Sequence, residues 1–239
     1  MRQPSPIGVQ VVSLVPSATE TLIALGVTPA GCTRFCDVEG IPTVGGTKNV
    51  DIAAVVALAP DLVVVNDEEN RVEDAHALAA QGLALHSMSP RSVAEVGPAV
   101  CALAAAVGVE APAPFDAWEA WQARTRTAER ATAFVPIWRR PWMSLAGDTY
   151  GSSLLAHVGI ANVFGTSADR YPEVALADVV ARAPDLVLLP SEPYAFAERH
   201  AVEIRAAVPD ARVAFVDGRD LFWWGIRTPI AAERLRGGA

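Results

Sequence analysis

The chain has 239 residues, of which 51% are hydrophobic and 19% charged, with a formal net charge of −8. That length allows one large domain or two small ones, each with a real core, and the apolar content excludes a disordered chain. The acidic balance, without any run of Lys and Arg, excludes nucleic acid and anionic lipid as partners. No apolar run reaches the roughly 18 residues that a membrane span needs. Residues 1–10 lack the basic-then-apolar layout of a secretory leader, so the expected location is cytoplasmic; a periplasmic or surface-anchored location is the alternative if a leader has been removed. Three cysteines, an odd number, suit a reducing compartment better than a disulfide framework. The protein is expected to be monomeric.

In chain order, residues 9–15 predict a strand, and Ser17 to Glu20 reads as a capping box opening a helix that closes on Gly26. Residues 30–35 form a weaker strand candidate, and residues 44–49 a turn leading to Asp51, a helix cap. Then follow a helix over 52–59, strand 62–65, helix 72–81 and strand 83–87. Strands alternating with helices imply a parallel sheet. Ser92 to Glu95 is a second capping box, opening a helix to about Val107, and residues 115–131 favour helix; together, residues 91–131 read as a helical connector. The second half predicts strand 133–138, helices 152–158 and 176–183, strand 186–189, helix 195–208, strand 213–216 and a closing helix over 228–236.

An internal repeat organises this series. Residues 54–65 read AVVALAPDLVVV and residues 178–189 read DVVARAPDLVLL, an offset of 124 positions (178 against 54). Each copy is preceded by a helix closing on glycine, LIALGV and LAHVGI, where Gly26 and Gly159 would be left-handed caps. The expectation is an α/β protein of two similar lobes with parallel sheets, residues 1–90 and 132–239, sharing a binding cleft.

The runs VVSLVPSATETLIALG, VGGTKNVDIAAVVALAPDLVVV, DTYGSSLLAHVGIANVFG and LADVVARAPDLVLL resemble the helical-backbone, TroA-like substrate-binding proteins, with the cobalamin-binding receptors of ABC importers as the most similar branch. The resemblance covers residues 9–230. It implies Rossmann-like lobes joined by a single backbone helix, limited hinge motion, a corrinoid or related metal chelate as ligand, and no intrinsic cofactor. It also implies docking to an importer permease through one glutamate on each lobe, for which Glu69 or Glu73 and Glu192 are candidates by placement.

Ligands of open parallel sheets sit beyond the carboxyl ends of the strands. In the first lobe those loops hold Pro16 and Ser17, then Phe35, Cys36 and Asp37, then Asn66, Glu68 and Glu69. In the second they hold Trp138 and Trp142, Glu192 and Tyr194, and Trp223, Trp224 and Arg227, with Tyr150 and Tyr171 as further aromatic candidates. Flat side chains in loops suit stacking on a macrocycle, although Trp138 and Trp142 could equally plug the lobe base and Trp223 and Trp224 cover the last helix. The polar run from Asn66 to Arg71 could hydrogen-bond ligand amides, hold a cation through Glu68 and Glu69, or be a solvated helix start. Cys36 could coordinate a soft metal, though a small buried thiol is commoner.

Cys32 and Cys36, without a second pair, are poor evidence for zinc, and His76, His86, His157 and His200 are scattered. Nucleophile elbows and phosphate-cradling glycine loops are missing. Three readings stay open: a corrinoid or similar chelate binder; a cytoplasmic paralogue binding another small molecule or a protein, without a transport role; and an enzyme using Cys36 with Asp37 or the 68–71 loop.

Overall fold

The computed structural model describes residues 8–238, so most of the N-terminal segment read for a leader lies outside the described residues. The chain divides into two compact units. The first comprises Met1–Pro90, Val96–Trp118 and Trp224–Ile226; the second comprises Arg91–Glu95, Glu119–Trp223 and Arg227–Ala239.

Unit 1 runs β1 (Val11–Ser13), α1 (Pro16–Ala24), β2 (Gly31–Cys32), a hairpin of β3 (Gly45–Gly46) and β4 (Asn49–Val50), α2 (Ile52–Ala57), β5 (Leu62–Val65), α3 (Val72–Ala80), β6 (Leu85–Ser87) and α4 (Val93–Ala106). The unit boundary falls inside α4, after Glu95. The four main strands pair in the order β2-β1-β5-β6, all parallel. Val12, Leu14, Val55, Val63 and Leu78 form the core between sheet and helices.

In the second half follow α5 (Trp118–Thr125), β7 (Ala131–Phe134), a hairpin of β8 (Pro136–Trp138) and β9 (Met143–Ser144), α6 (Tyr150–His157), β10 (Ile160–Asn162), α7 (Leu176–Arg182), β11 (Leu186–Pro190), α8 (Glu198–Ala207), β12 (Arg212–Val216), α9 (Gly218–Phe222) and α10 (Thr228–Gly238). The sheet order is β10-β7-β11-β12, again all parallel. Both sheets therefore share one plan, in which the second strand flanks the first on one side and the third and fourth lie on the other. The central β11 is buried along its whole length, as a strand covered on both faces must be.

The repeat has the same geometry in each copy. Ala59 and Ala183, at the helix ends, adopt φ of 45° and 43°. The aspartates two positions on, Asp61 and Asp185, turn back to accept backbone N–H groups, from Gln10 at 2.8 Å and Thr132 at 2.7 Å. Each carboxylate thereby ties the start of its own strand to the start of the first strand of its sheet. Gly26 and Gly159, with φ of 79° and 82°, are the left-handed caps that the sequence predicts.

Some local expectations are corrected. Helix α1 starts at Pro16, one residue before the expected cap Ser17, with Val15 as its cap and no side-chain capping bond; proline at the first helical position has no N–H to satisfy and its fixed φ already suits the helix. At α4 the Glu95 carboxylate reaches back to the N–H of Arg91, at 2.8 Å, rather than to that of Ser92. Residues 115–131 are one short 3₁₀ turn (Phe115–Ala117) and α5, and the helix ends at Thr125 where the Thr125 hydroxyl bonds back to Trp121 O at 2.8 Å. The strand expected over 133–138 is two strands, because the chain leaves the sheet after Phe134 to pair with β9. Asp51 does cap α2, accepting from Ala54 N at 2.9 Å.

Alanine in the left-handed region costs about 1 kcal/mol relative to glycine. Ala183→Gly should raise the free energy of unfolding by about that amount in urea titration; unchanged or lowered stability would show that the helix end is not strained.

Candidate functional site

Because every main strand is parallel to its neighbours, all carboxyl ends in a unit meet at one edge of its sheet. In each unit the order reverses between the first and third strands, the switch point at which such sheets open a crevice.

In unit 1 the switch point lies between β1 and β5. Asn70, 6% exposed, bridges the loops there: its amide N–H₂ donates to Leu14 O and Thr47 O, both at 3.1 Å, and its Oδ1 accepts from Asn66 N at 2.8 Å. Asn66 is also buried; its Oδ1 accepts from the N–H groups of Glu68 and Glu69, and its amide donates to Met88 O. The two asparagines thus hold the loop backbone in shape. Around them, Glu68 is exposed and its carbonyl accepts from Lys48 Nζ at 2.5 Å, Glu69 is half-buried, and Glu73 is exposed at the first turn of α3 beside Arg71. Pro16 and Ser17 are buried, and the Ser17 hydroxyl has no hydrogen-bond partner.

The loop after β2 presents Phe35, 53% exposed with the Arg34 guanidinium 4.9 Å from its ring centroid, and the exposed Asp37. Between them Cys36 is half-buried. Its sulfur lies 3.1 Å from Thr19 Oγ1 and 3.4 Å from Thr33 Oγ1, hydroxyls that sequence reasoning passed over. Thr19 falls one helical turn beyond Val15, the spacing that places it over the end of β1.

Unit 2 gathers aromatic and charged groups. Trp138, 46% exposed, meets Tyr194 edge to face at 5.4 Å between centroids, and the Tyr194 hydroxyl lies 3.3 Å from His200 Nε2. This pair spans the switch point, one member following β7 and the other β11. Trp142 is buried, stacked on Phe196 and with the Arg139 guanidinium 4.5 Å from its ring centroid. In the neighbouring loops the indole N–H of half-buried Trp223 donates to Glu192 Oε1 at 2.6 Å, while Arg219 and Arg227 lie 5.8 and 5.7 Å from its ring. Arg227 pairs with the buried Asp220 at 3.1 Å, a residue the sequence reading missed. Burial pushes the Glu192 carboxyl above the ordinary glutamate range, against the Trp223 hydrogen bond that pulls it down. The loops are locked together: Gly218 N donates to Ser191 Oγ at 2.9 Å, and a side chain at Gly218 would overlap the Glu192 backbone.

The structure therefore brings Trp138 to Tyr194, and Glu192 to Trp223 and Arg227. Tyr150 is buried with its hydroxyl 2.8 Å from Thr228 Oγ1 and feels the charges of Asp220 and Arg227, and burial holds the phenol far above its usual range. Trp224 is buried within unit 1. Tyr171 is exposed beside Arg170. Among the described residues no three His, Cys, Asp or Glu side chains gather in a way that could hold a metal ion, and no helix is long and apolar enough to cross a membrane.

The chain is similar to the vitamin B12-binding protein of Vibrio campbellii, 22% identical over 205 residues that cover 81% of this chain and 72% of the relative. It is also similar to that of Salmonella paratyphi A, 25% identical over 194 residues, covering 75% and 71%. Among solved structures, the periplasmic vitamin B12 binding protein BtuF of Vibrio cholerae superposes with a TM-score of 0.80 at 19% identity, covering 96% of both chains. The periplasmic haem-binding protein BhuT, in complex with two haems, superposes with a TM-score of 0.75 at 21% identity, covering 96% of this chain and 97% of that one. These relatives are named for what they bind and not for a reaction. The family model for periplasmic binding proteins matches residues 11–203, and the chain, a binding protein rather than an enzyme, belongs to that family.

Proposed function

We propose that the chain binds a metal chelate of the tetrapyrrole kind, with a corrinoid as its first ligand class. The observation that carries this reading is the exposed Trp138 face, braced by Tyr194 at the switch point of unit 2. An indole held edge-on by a second ring loses little freedom when a flat macrocycle stacks on it, and such ring pairs contribute about 0.5–1.5 kcal/mol beyond area burial. Glu192, Trp223 and Arg227 supply an acceptor, a second ring and a cation in the adjoining loops, which suits a ligand with amide or carboxylate side arms. Vitamin B12-binding relatives support the corrinoid, and the structural likeness to BhuT supports haem as the second candidate.

Delivery to an importer permease and a periplasmic location go with this reading; the cytoplasmic placement expected from residues 1–10 draws no support from relatives described as periplasmic. Glu73 suits docking on unit 1 because its carboxylate is exposed. Glu192 is partly committed to Trp223 and is the weaker dock on unit 2.

Titration with cobalamin, cobinamide and haem, followed by tryptophan fluorescence, should give saturable quenching with at least one of them. Trp138→Ala should weaken that binding about tenfold, the equivalent of losing about 1.4 kcal/mol. No saturable quenching with any of the three would sink the chelate reading and leave a family fold serving another small molecule or a protein partner.

Glu192 supplies a separate readout. Its carboxyl titrates above the unfolded value because of burial, so the folded protein holds that proton more tightly than the unfolded chain. Stability then falls as pH rises from the ordinary glutamate value through the folded one. Glu192→Gln should remove that fall, and melting temperatures measured from about pH 4 to about pH 7 should shift progressively in favour of the variant. A constant gap between variant and parent would contradict the burial argument.

A further inference from the structure

Helix α8 opens on Ala197, which has no polar side chain to serve the helix end, and His200, three residues further on, takes part of that task. Its Nδ1 accepts the Ala197 N–H at 2.9 Å, as the third-position side chain of a capping box does. A ring nitrogen that accepts a hydrogen bond carries no proton, so the imidazole is neutral and its one N–H is on Nε2. The ring is 5% exposed and meets the edges of Tyr194 and Phe196, both at 5.4 Å between centroids, which holds it in that orientation. Nε2 lies 3.3 Å from the Tyr194 hydroxyl. The nitrogen therefore donates and the phenol oxygen accepts, and Tyr194 keeps its own O–H. Among the described residues no acceptor for that O–H lies within hydrogen-bond distance. The half-buried ring that carries it is the one set edge to face against the exposed Trp138.

We propose that Tyr194 is a specificity-determining residue, donating its O–H to a carbonyl or carboxylate oxygen on a side arm of the flat ligand that stacks on Trp138, and that His200 is the positioning residue that directs this donor. The role deepens the chelate reading of the same surface and rests on it. An ordinary phenol swings its proton about the C–O bond, but here the imidazole N–H occupies one side of the oxygen and turns the proton away from itself. A ligand with amide or carboxylate arms meets a donor already formed. One with a bare hydrocarbon rim leaves the hydroxyl unpaired on closing over it, and a site built to hydrogen-bond rejects analogues that lack the partner group. Flat rings are thereby sorted by what they carry at the edge as well as by their faces.

The test measures dissociation constants of cobalamin, cobinamide and haem for the full chain and for Tyr194→Phe, which keeps the ring against Trp138 and removes only the hydroxyl. Binding should weaken about fivefold in the variant, the worth of one neutral hydrogen bond, and by more where the accepting arm is a carboxylate. A loss with cobalamin or cobinamide puts an amide carbonyl on the hydroxyl, and a loss with haem alone puts a propionate there. His200→Ala should weaken binding in the parent and add nothing in the Tyr194→Phe background, since it acts through that hydroxyl. An equal loss in both backgrounds overturns the positioning role. Without any ligand or variant, long-range proton–nitrogen correlation spectra of the folded chain should show His200 protonated on Nε2 and bare on Nδ1; a proton on Nδ1 overturns the assignment. Equal affinities of parent and Tyr194→Phe overturn the donor role and leave stacking on Trp138 standing, whereas a parent that binds none of the three chelates removes both.

Discussion

Parallel pairing is the constraint from which the remaining architecture follows. A parallel strand cannot return through a tight hairpin, so each connection carries a helix across the sheet and delivers the next strand pointing the same way. Every carboxyl end in a unit then lies on one edge, and the loops there are free to vary because the buried strands and helices carry the stability. The chain invests this freedom unevenly: the amino ends are tied by Asp61 and Asp185, while the carboxyl ends hold nearly all the unusual side chains.

The two units use the same scaffold for different chemistry. Around β1 and β5 the edge is built on the buried amides of Asn66 and Asn70, which spend their hydrogen bonds on backbone, with the half-buried Cys36 thiol set among threonine hydroxyls. Around β7 and β11 the edge is aromatic and ionic. Asp220 is 4% exposed and sits against Arg227 and Arg234, an arrangement that holds Arg227 close to Trp223. Removing one partner from such a buried pair leaves a charge without compensation, so the network fixes geometry more than it adds net stability.

The scaffold was legible in the sequence because its signals are local. The Ala-Pro-Asp repeat combines a helix end, a turn and an apolar run within twelve positions, and strands β5 and β11 follow it with almost no ambiguity. Gly26 and Gly159 mark helix ends by their own conformational needs. Short elements were harder: β10 is three residues long and begins directly after Gly159, leaving no periodicity to read. The stretch 115–131 has helix-favouring residues throughout, but the backbone turns away after Thr125, where Thr127 N donates to the distant His157 O instead of to the preceding turn. In the site, residue types at strand ends could be named, but their partners could not. Trp223 meets Glu192 across 31 positions, and Thr19 meets Cys36 across 17, distances over which only the completed sheet sets the geometry. Tyr150 meets Thr228 across 78 positions, a contact between α6 and α10 that no local pattern announces.

Trp224–Ile226 belong to unit 1 although the chain on both sides belongs to unit 2, and the Thr21 hydroxyl of α1 accepts the N–H of Ile226 at 3.2 Å. Gly225 fits there because a side chain would strike that same hydroxyl. A fragment ending before residue 224 would lack three residues of its own unit, so the line that divides the sequence into halves does not divide the fold.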